Sequence, residues 1–339
     1  MTDGHPIVWL WLLLVGSTIA LNTSNALLLF ILVLALVVTG FLAGGPRRAS
    51  LVTSLGAGLA ATAFWIVLTL VMPQGSATDA LLVLPSWSPG PGVTFGGPLG
   101  ITSVVNGLTG ALRAVAVLLL FGLAGQLVSA RGWLALSRST LGAGAPALHP
   151  LACLGEASVE TLNVRHRVTR QGWGRNASAG WLTSLLLAAR DTARADRPAS
   201  APRPGVELVR LGLLLVLTAG PVLALAFGWL PAILTDNLFG TDLVALVVLL
   251  AVAVGLALPG TPPLLWQWRV SDVPQAVVAL ALTAAWALRD VLNQSGSLTP
   301  APDTLPDLPW ALAAAAILLP LAVGLGGRRI KRKAVPVHA

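Results

Sequence analysis

Apolar residues run along this chain in long unbroken blocks, separated by short polar or Gly/Pro-rich segments. A hydrocarbon core about 30 Å thick is crossed by roughly 17 to 25 mostly apolar helical residues. On that scale the chain holds about eight spans: Ile7–Leu21, Ala26–Phe41, Leu51–Met72, Gly107–Ser129, Leu208–Leu230, Leu243–Leu258, Val273–Leu292 and Trp310–Leu325. The pattern predicts an all-α integral membrane protein. The first two blocks are short, and Asn22-Thr23-Ser24-Asn25 between them predicts a tight hairpin instead of one long helix. Segment 73–106 carries Pro85, Pro89-Gly90-Pro91-Gly92 and Gly96-Gly97-Pro98. It is expected to break regular structure and lie on the outer surface as a loop, either a binding lid or a passive connector. The absence of an internal repeat at any period from about 20 to 50 residues argues against an inverted-repeat transporter.

Charge adds orientation to this pattern. Segments 22–25, 73–106, 231–242 and 293–309 contain no Lys or Arg and are assigned to the outside. Arg47, Arg48, the ten basic residues between Arg131 and Arg203, Arg269, and the tail Arg328, Arg329, Lys331, Arg332 and Lys333 then fall inside. That is the positive-inside rule at every alternate loop. Eighteen of the 21 basic residues obey it, and the other three, Arg113, Arg210 and Arg289, lie within or at the ends of spans. Both termini are expected in the cytoplasm. Met1 to Pro6 lacks a basic n-region, so the first span is expected to remain uncleaved. The layout is a four-helix membrane block (1–130), a cytoplasmic coupling-helix region (131–206), a second membrane block of about four helices (207–327), and a basic cytoplasmic tail (328–339) anchored at the inner leaflet.

Composition agrees and removes other classes. With 339 residues, 55% hydrophobic and 10% charged, the chain is too apolar for a water-soluble globule. Its net charge of +8 does not imply nucleic acid, because the basic residues alternate with spans instead of forming one face. The single cysteine, Cys153, excludes an internal disulfide and a Cys-based metal cluster. Lys331 and Lys333 are the sole lysines, so a GxxxxGK[ST] phosphate loop cannot exist in the membrane body, nor can a buried Schiff-base lysine. His5, His149, His166 and His338 form no H-x3-H or H-E-x-x-H arrangement, and the pairs Asp236/Asp242 and Asp303/Asp307 sit in loops. No enzyme activity, cofactor or metal is expected.

The basic stretch contains two helical stripes. Leu148, Leu151, Gly155, Val159 and Leu162 recur in steps of three and four, with Glu156 and Glu160 preceding Arg165, Arg167 and Arg170. Acids before bases complement the helix dipole, and Gly172 is a C-terminal stop. Leu182, Leu185, Leu186, Ala189 and Ala193 form the second stripe, with Arg190, Asp191, Arg194 and Arg197 elsewhere and Pro198 at its end. Such helices either lie on the inner leaflet with arginines on anionic headgroups, or present those arginines to a soluble partner. Periodicity does not choose. Arg113 stands within the outer half of a span with no acidic neighbour in its own helix. It is expected to fix helix contacts by bonding to polar groups or carbonyls, or to contact a partner.

The run Gly107-Leu108-Thr109-Gly110-Ala111-Leu112-Arg113-Ala114-Val115-Ala116-Val117-Leu118, then Leu134-Ala135-Leu136-Ser137-Arg138, then the segment from Glu156 to Gly172, resembles the transmembrane T component of energy-coupling factor (ECF) transporters. Thr23-Ser24-Asn25-Ala26-Leu27-Leu28 and Pro46-Arg47-Arg48 also look like that family's amino-terminal hairpin. The resemblance covers residues 20–230 and implies a bacterial plasma membrane protein that hydrolyses nothing itself. It further implies two coupling helices, each ending in an Ala-Arg-Gly-like motif whose arginine enters a groove on a cytoplasmic ABC-type ATPase. Movement of the ATPases would pass to a separate substrate-binding membrane subunit for a vitamin or metal ion. The first motif falls on Thr169-Arg170-Gln171-Gly172, with Arg167 in the same cluster; Gln171 stands where the family has arginine, so Arg170 is one position early. The second falls on Ala193-Arg194-Ala195 or Ala189-Arg190-Asp191, neither with glycine. The chain after Leu230 extends beyond the family pattern. Two other readings stay open: a scaffold or signalling protein whose amphipathic helices rest on membrane lipids, and a membrane-embedded enzyme or secondary carrier.

Overall fold

The structure, a computed structural model, describes residues 4–44, 48–73, 80–90, 93–141, 186–187, 190, 209, 212, 265, 267–301 and 306–333. The expected spans Leu208–Leu230 and Leu243–Leu258, and the two stripes between 146 and 197, lie outside the described residues but for those isolated positions.

The described chain forms helices α1 (Pro6–Asn22), α2 (Ala26–Ala43) and α3 (Arg48–Val71), strands β1 (Ala80–Gly90) and β2 (Val93–Gly100), and helices α4 (Ile101–Leu127) and α5 (Ala130–Leu141). Beyond residue 265 come α6 (Val273–Ala287), α7 (Ser295–Leu298) and α8 (Trp310–Lys333). Ala26–Ala43, Ser50–Val71 and Ile101–Leu127 are long and apolar enough to cross a membrane, while Pro6–Asn22, Val273–Ala287 and Trp310–Leu325 are apolar but shorter. The fold is therefore largely helical and compatible with a membrane protein.

Five helices close a ring in which α4 packs on α1, α1 on α6, α6 on α8, α8 on α2, and α2 back on α4. Their inward faces form one continuous core that includes Trp9, Leu12, Leu29, Leu36, Leu119, Leu123 and Leu312. α1 and α2 touch little although a tight turn joins them, because α4 and the α6–α8 pair occupy the two grooves beside them. α3 stands outside the ring and leans on α4 along its length. Its outer face is open, with Leu59 72% and Phe64 62% exposed. Apolar side chains in that position are what a lipid environment favours and water does not.

Close approaches set the helix directions. Gly4 N bonds Leu127 O at one end of α4, whereas Arg113 meets Thr23 fourteen residues earlier, so α1 and α4 run antiparallel. Gly40 and Gly44 carbonyls lie at Gln126, making α2 parallel to α4. Asp307, ahead of α8, meets Asn25, ahead of α2, and Gly324 lies beside Leu42 near the end of α2, so α8 runs parallel to α2 and continues past it. Arg48, Arg131, Arg138 and Arg269 all fall at the end marked by His5, and Arg113 and Arg289 fall toward the other.

Four boundaries differ from the sequence reading. Segment 73–106, expected to be irregular, contains an antiparallel hairpin with Val83 opposite Pro98 and Trp87 opposite Phe95, the rings of the latter pair 5.8 Å apart. Each strand of a two-stranded ribbon has a free edge, which tolerates proline, and the positive φ of Gly96 (75°) and Gly97 (108°) accommodates the irregular register. α4 begins at Ile101 instead of Gly107, because Thr102, Ser103 and Asn106 are polar yet compatible with helix. A span estimated from hydropathy stops where lipid contact stops, but helical hydrogen bonding continues. α6 ends at Ala287, short of Leu292, where Gln294 N bonds back to Arg289 O at 2.8 Å and Asn293 takes a left-handed φ of 54°. α8 contains Pro320 and continues through Gly326 and Gly327 into the basic tail.

Candidate functional site

Asn25 precedes an apolar block, and short amides there cap helices. Its Oδ1 accepts from Leu28 N at 3.0 Å, closing the first turn of α2. That leaves two amide hydrogens, which go to Ser297 O at 2.7 Å and Asp307 O at 2.8 Å. Thr23 Oγ1 donates to Leu298 O at 2.9 Å and accepts from Asn25 N at 3.2 Å, while Ser24 N donates to Leu298 O at 2.8 Å. Arg113 Nε donates to Thr23 O at 2.7 Å. Thr23 and Asn25 are wholly buried. One three-residue turn thus joins α1 and α2, the α6–α8 connection and the middle of α4. By helical rise the knot sits about 21 Å up α4 from Leu127, with about 18 Å of α4 beyond it.

A second polar set lies at the opposite end. His5, 3% exposed, has Nε2 3.2 Å from Leu265 O and its ring stacked on Trp268 at 4.3 Å. Trp9 Nε1 donates to Gln275 Oε1 at 2.9 Å, and buried Asp272 accepts from Arg269 N at 3.0 Å. Burial lowers the basicity of His5, Asp272 and the Leu265 carbonyl oppose that, and Arg269 adds a smaller lowering. The imidazole is therefore held neutral, with Nε2 donating to Leu265 O and Nδ1 without a protein partner. On the neighbouring helices Gln126 Nε2 bridges Gly40 O and Gly44 O, each at 3.0 Å, satisfying carbonyls that the end of α2 leaves open. Ser50 Oγ donates to Gly122 O at 3.0 Å between α3 and α4.

These side chains spend their hydrogen bonds mainly on backbone carbonyls of other helices. Such bonds fix helix positions and leave little to act on a substrate. Among the described residues no group of three or more His, Cys, Asp or Glu side chains gathers to hold a metal. Of the residues singled out from sequence, Arg113 belongs to the knot, and Arg190 is helical and exposed. Arg167, Arg170, Gln171, Gly172 and Arg194 lie outside the described residues. Sequence reasoning missed the roles of His5, Gln126 and Gln275. His5 and Gln275 meet partners more than 250 residues away, which no local pattern announces.

Comparison with protein-family models, with curated proteins and with solved structures gives no significant match in any of the three.

Proposed function

We propose that this chain is the non-catalytic transmembrane coupling subunit of an ECF-type uptake system, passing movement of cytoplasmic ABC-type ATPases to a substrate-binding membrane subunit. The observation that carries the reading is the course of α4. It contacts α1, α2 and α3 together, is tied at mid-length by Arg113, and continues after Ser129 into α5, whose buried Ala135 and Leu136 cluster with Ile7 and Leu10 near the start of α1. A braced central helix that feeds a short interfacial helix, and then the arginine-rich stretch, is suited to transmit force. It is poorly suited to opening and closing a pathway by itself. The Thr23–Asn25 turn, the Leu112-Arg113 pair and the Leu134–Arg138 segment are also those on which the family resemblance rests.

In this reading the His5 end faces the cytoplasm of a bacterial cell, in keeping with its concentration of arginines, and both termini lie there. Arg167 and Arg170, with Gln171 and Gly172, form the first ATPase contact, and Arg190 or Arg194 the second. The test is co-purification from detergent extracts of cells that express the chain with its neighbouring genes. An ABC-type ATPase retained by the natural chain and lost with Arg170→Ala supports coupling. No ATPase in the extract, together with tight liposome binding by a peptide of residues 146–197, would replace it with a lipid-resting scaffold.

A further inference from the structure

A cleft of about 150 Å³ lies between α3 and α4, lined by Trp65, Leu68, Thr69, Met72, Ser103, Asn106 and Gly107. Its walls are mostly apolar, and a space of this volume accommodates a benzene-sized apolar group. Among the polar residues of the lining, Ser103 is 3% exposed and its hydroxyl is buried without any hydrogen-bond partner in the protein. An orphaned hydroxyl in an apolar cleft costs on the order of 1 to 3 kcal/mol, so a ligand oxygen placed there recovers it.

Depth identifies what meets the cleft. Twenty residues of α4 separate Leu127 from Gly107, about 30 Å of helix, which is one hydrocarbon thickness. If Leu127 marks one boundary, Ser103 and Gly107 stand at the other, where the ester carbonyls of phospholipids lie and tryptophan is favoured. Leu70, Val71 and Met72, at the end of α3 beside the cleft, are exposed and apolar, continuous with the open face of that helix.

We infer that this cleft is a lipid site, holding the carbonyl and first few methylenes of one acyl chain of a phospholipid in the leaflet at that boundary, with the Ser103 hydroxyl donating to the ester oxygen. The inference rests on α3 and α4 crossing the bilayer; the ATPase-coupling role is not needed for it. Thr69 Oγ1 is committed to Trp65 O at 2.8 Å and Asn106 is engaged within the protein, so Ser103 supplies the donor.

The experiment titrates the full chain in detergent with phosphatidylcholine brominated on the upper part of one chain. The readout is the part of the tryptophan quenching that Trp65→Phe removes. It is expected to saturate near one lipid per protein, to weaken about fivefold in Ser103→Ala, the value of one neutral hydrogen bond, and to vanish in Ser103→Leu, which fills the cleft. Unsaturable quenching, equal in all three, would reduce the site to ordinary annular contact and overturn the inference. An Ala variant that binds as tightly as the natural chain would also overturn it, and Ser103→Ala keeps the test decisive should Ser103→Leu misfold. Failure of the membrane reading shows separately, as release of the chain from membranes by alkaline carbonate without detergent.

Discussion

Arg113 reaches across from α4 to donate its Nε hydrogen to the backbone carbonyl of Thr23 over 2.7 Å. A guanidinium within an apolar helix is costly, and here it meets a carbonyl at the end of α1 that the helix itself leaves open. Charge, helix terminus and turn therefore solve one another's problem at a single point.

Replacing Arg113 with Leu removes that donor and leaves the carbonyl buried against hydrocarbon. The expected loss is about 1.5 to 3 kcal/mol, the usual range for a bond to a charged group. Thermal unfolding in detergent should fall clearly for Arg113→Leu and less for Arg113→Lys, which keeps a cation able to approach the turn. Equal stability of Arg113→Leu and the natural chain would show that the contact contributes nothing.

Asn25 serves two functions that substitution can separate. Asn25→Ser keeps a capping oxygen for Leu28 N but cannot reach Ser297 and Asp307 together. Asn25→Ala loses both functions, at about 2 to 3 kcal/mol for the cap and the cross-helix bonds combined. The order of melting temperatures should be natural chain, then Ser, then Ala. A Ser variant as stable as the natural chain would mean that the bonds to Ser297 and Asp307 do not hold the α6–α8 connection.

Gly122 tests the fit of α3 against α4. Helix propensity alone predicts that Gly122→Ala stabilises by up to about 1 kcal/mol. A Cβ there would collide with the Ser54 side chain and come within 3.2 Å of Ser50 O, so the expected sign is reversed. Gly122→Ala should lower stability, and adding Ser54→Gly should restore part of it. A stabilising single change, measured by chemical denaturation in detergent, would place the helices farther apart than described.

His5 gives a pH dependence. Burial holds its basicity below the ordinary value near 6.5, so the unfolded chain binds the proton more readily than the folded one. The stabilisation is complete above about pH 6.5 and drains away as pH falls toward the depressed folded value. Melting temperature should drop between about pH 7 and pH 5, and His5→Gln should flatten that part of the curve. A slope unchanged by His5→Gln assigns it to other groups.

The α1–α2 turn, the three long helices and the concentration of arginine at one end were legible because each is written locally. Run length, a break of four polar residues and the positions of Lys and Arg need no knowledge of the distant chain. The hairpin was not legible, since Pro85, Pro98 and the glycine pair at 96 and 97 signal irregularity where they supply free edges and positive φ. The knot was half legible. Arg113 stood out by type and Asn25 belonged to a polar break expected to turn, but Ser297, Leu298 and Asp307 take part through main-chain oxygens, which every residue possesses. The end of α6 was missed because Leu288, Val291 and Leu292 carry the apolar run past the charged pair Arg289-Asp290, whereas the helix already stops at Ala287, ahead of that pair.

Thr23 and Asn25 find their acceptors more than 270 positions further along the polypeptide. Those oxygens do not exist while the ribosome is still making the first half, so the opening pair of helices forms with polar groups unmet. Water or a folding factor must satisfy them until the last quarter emerges. Birth order thus sets a deadline: a chain truncated before Ser297 should be recognised as unfinished by quality-control proteases, even though its earliest helices are already in place.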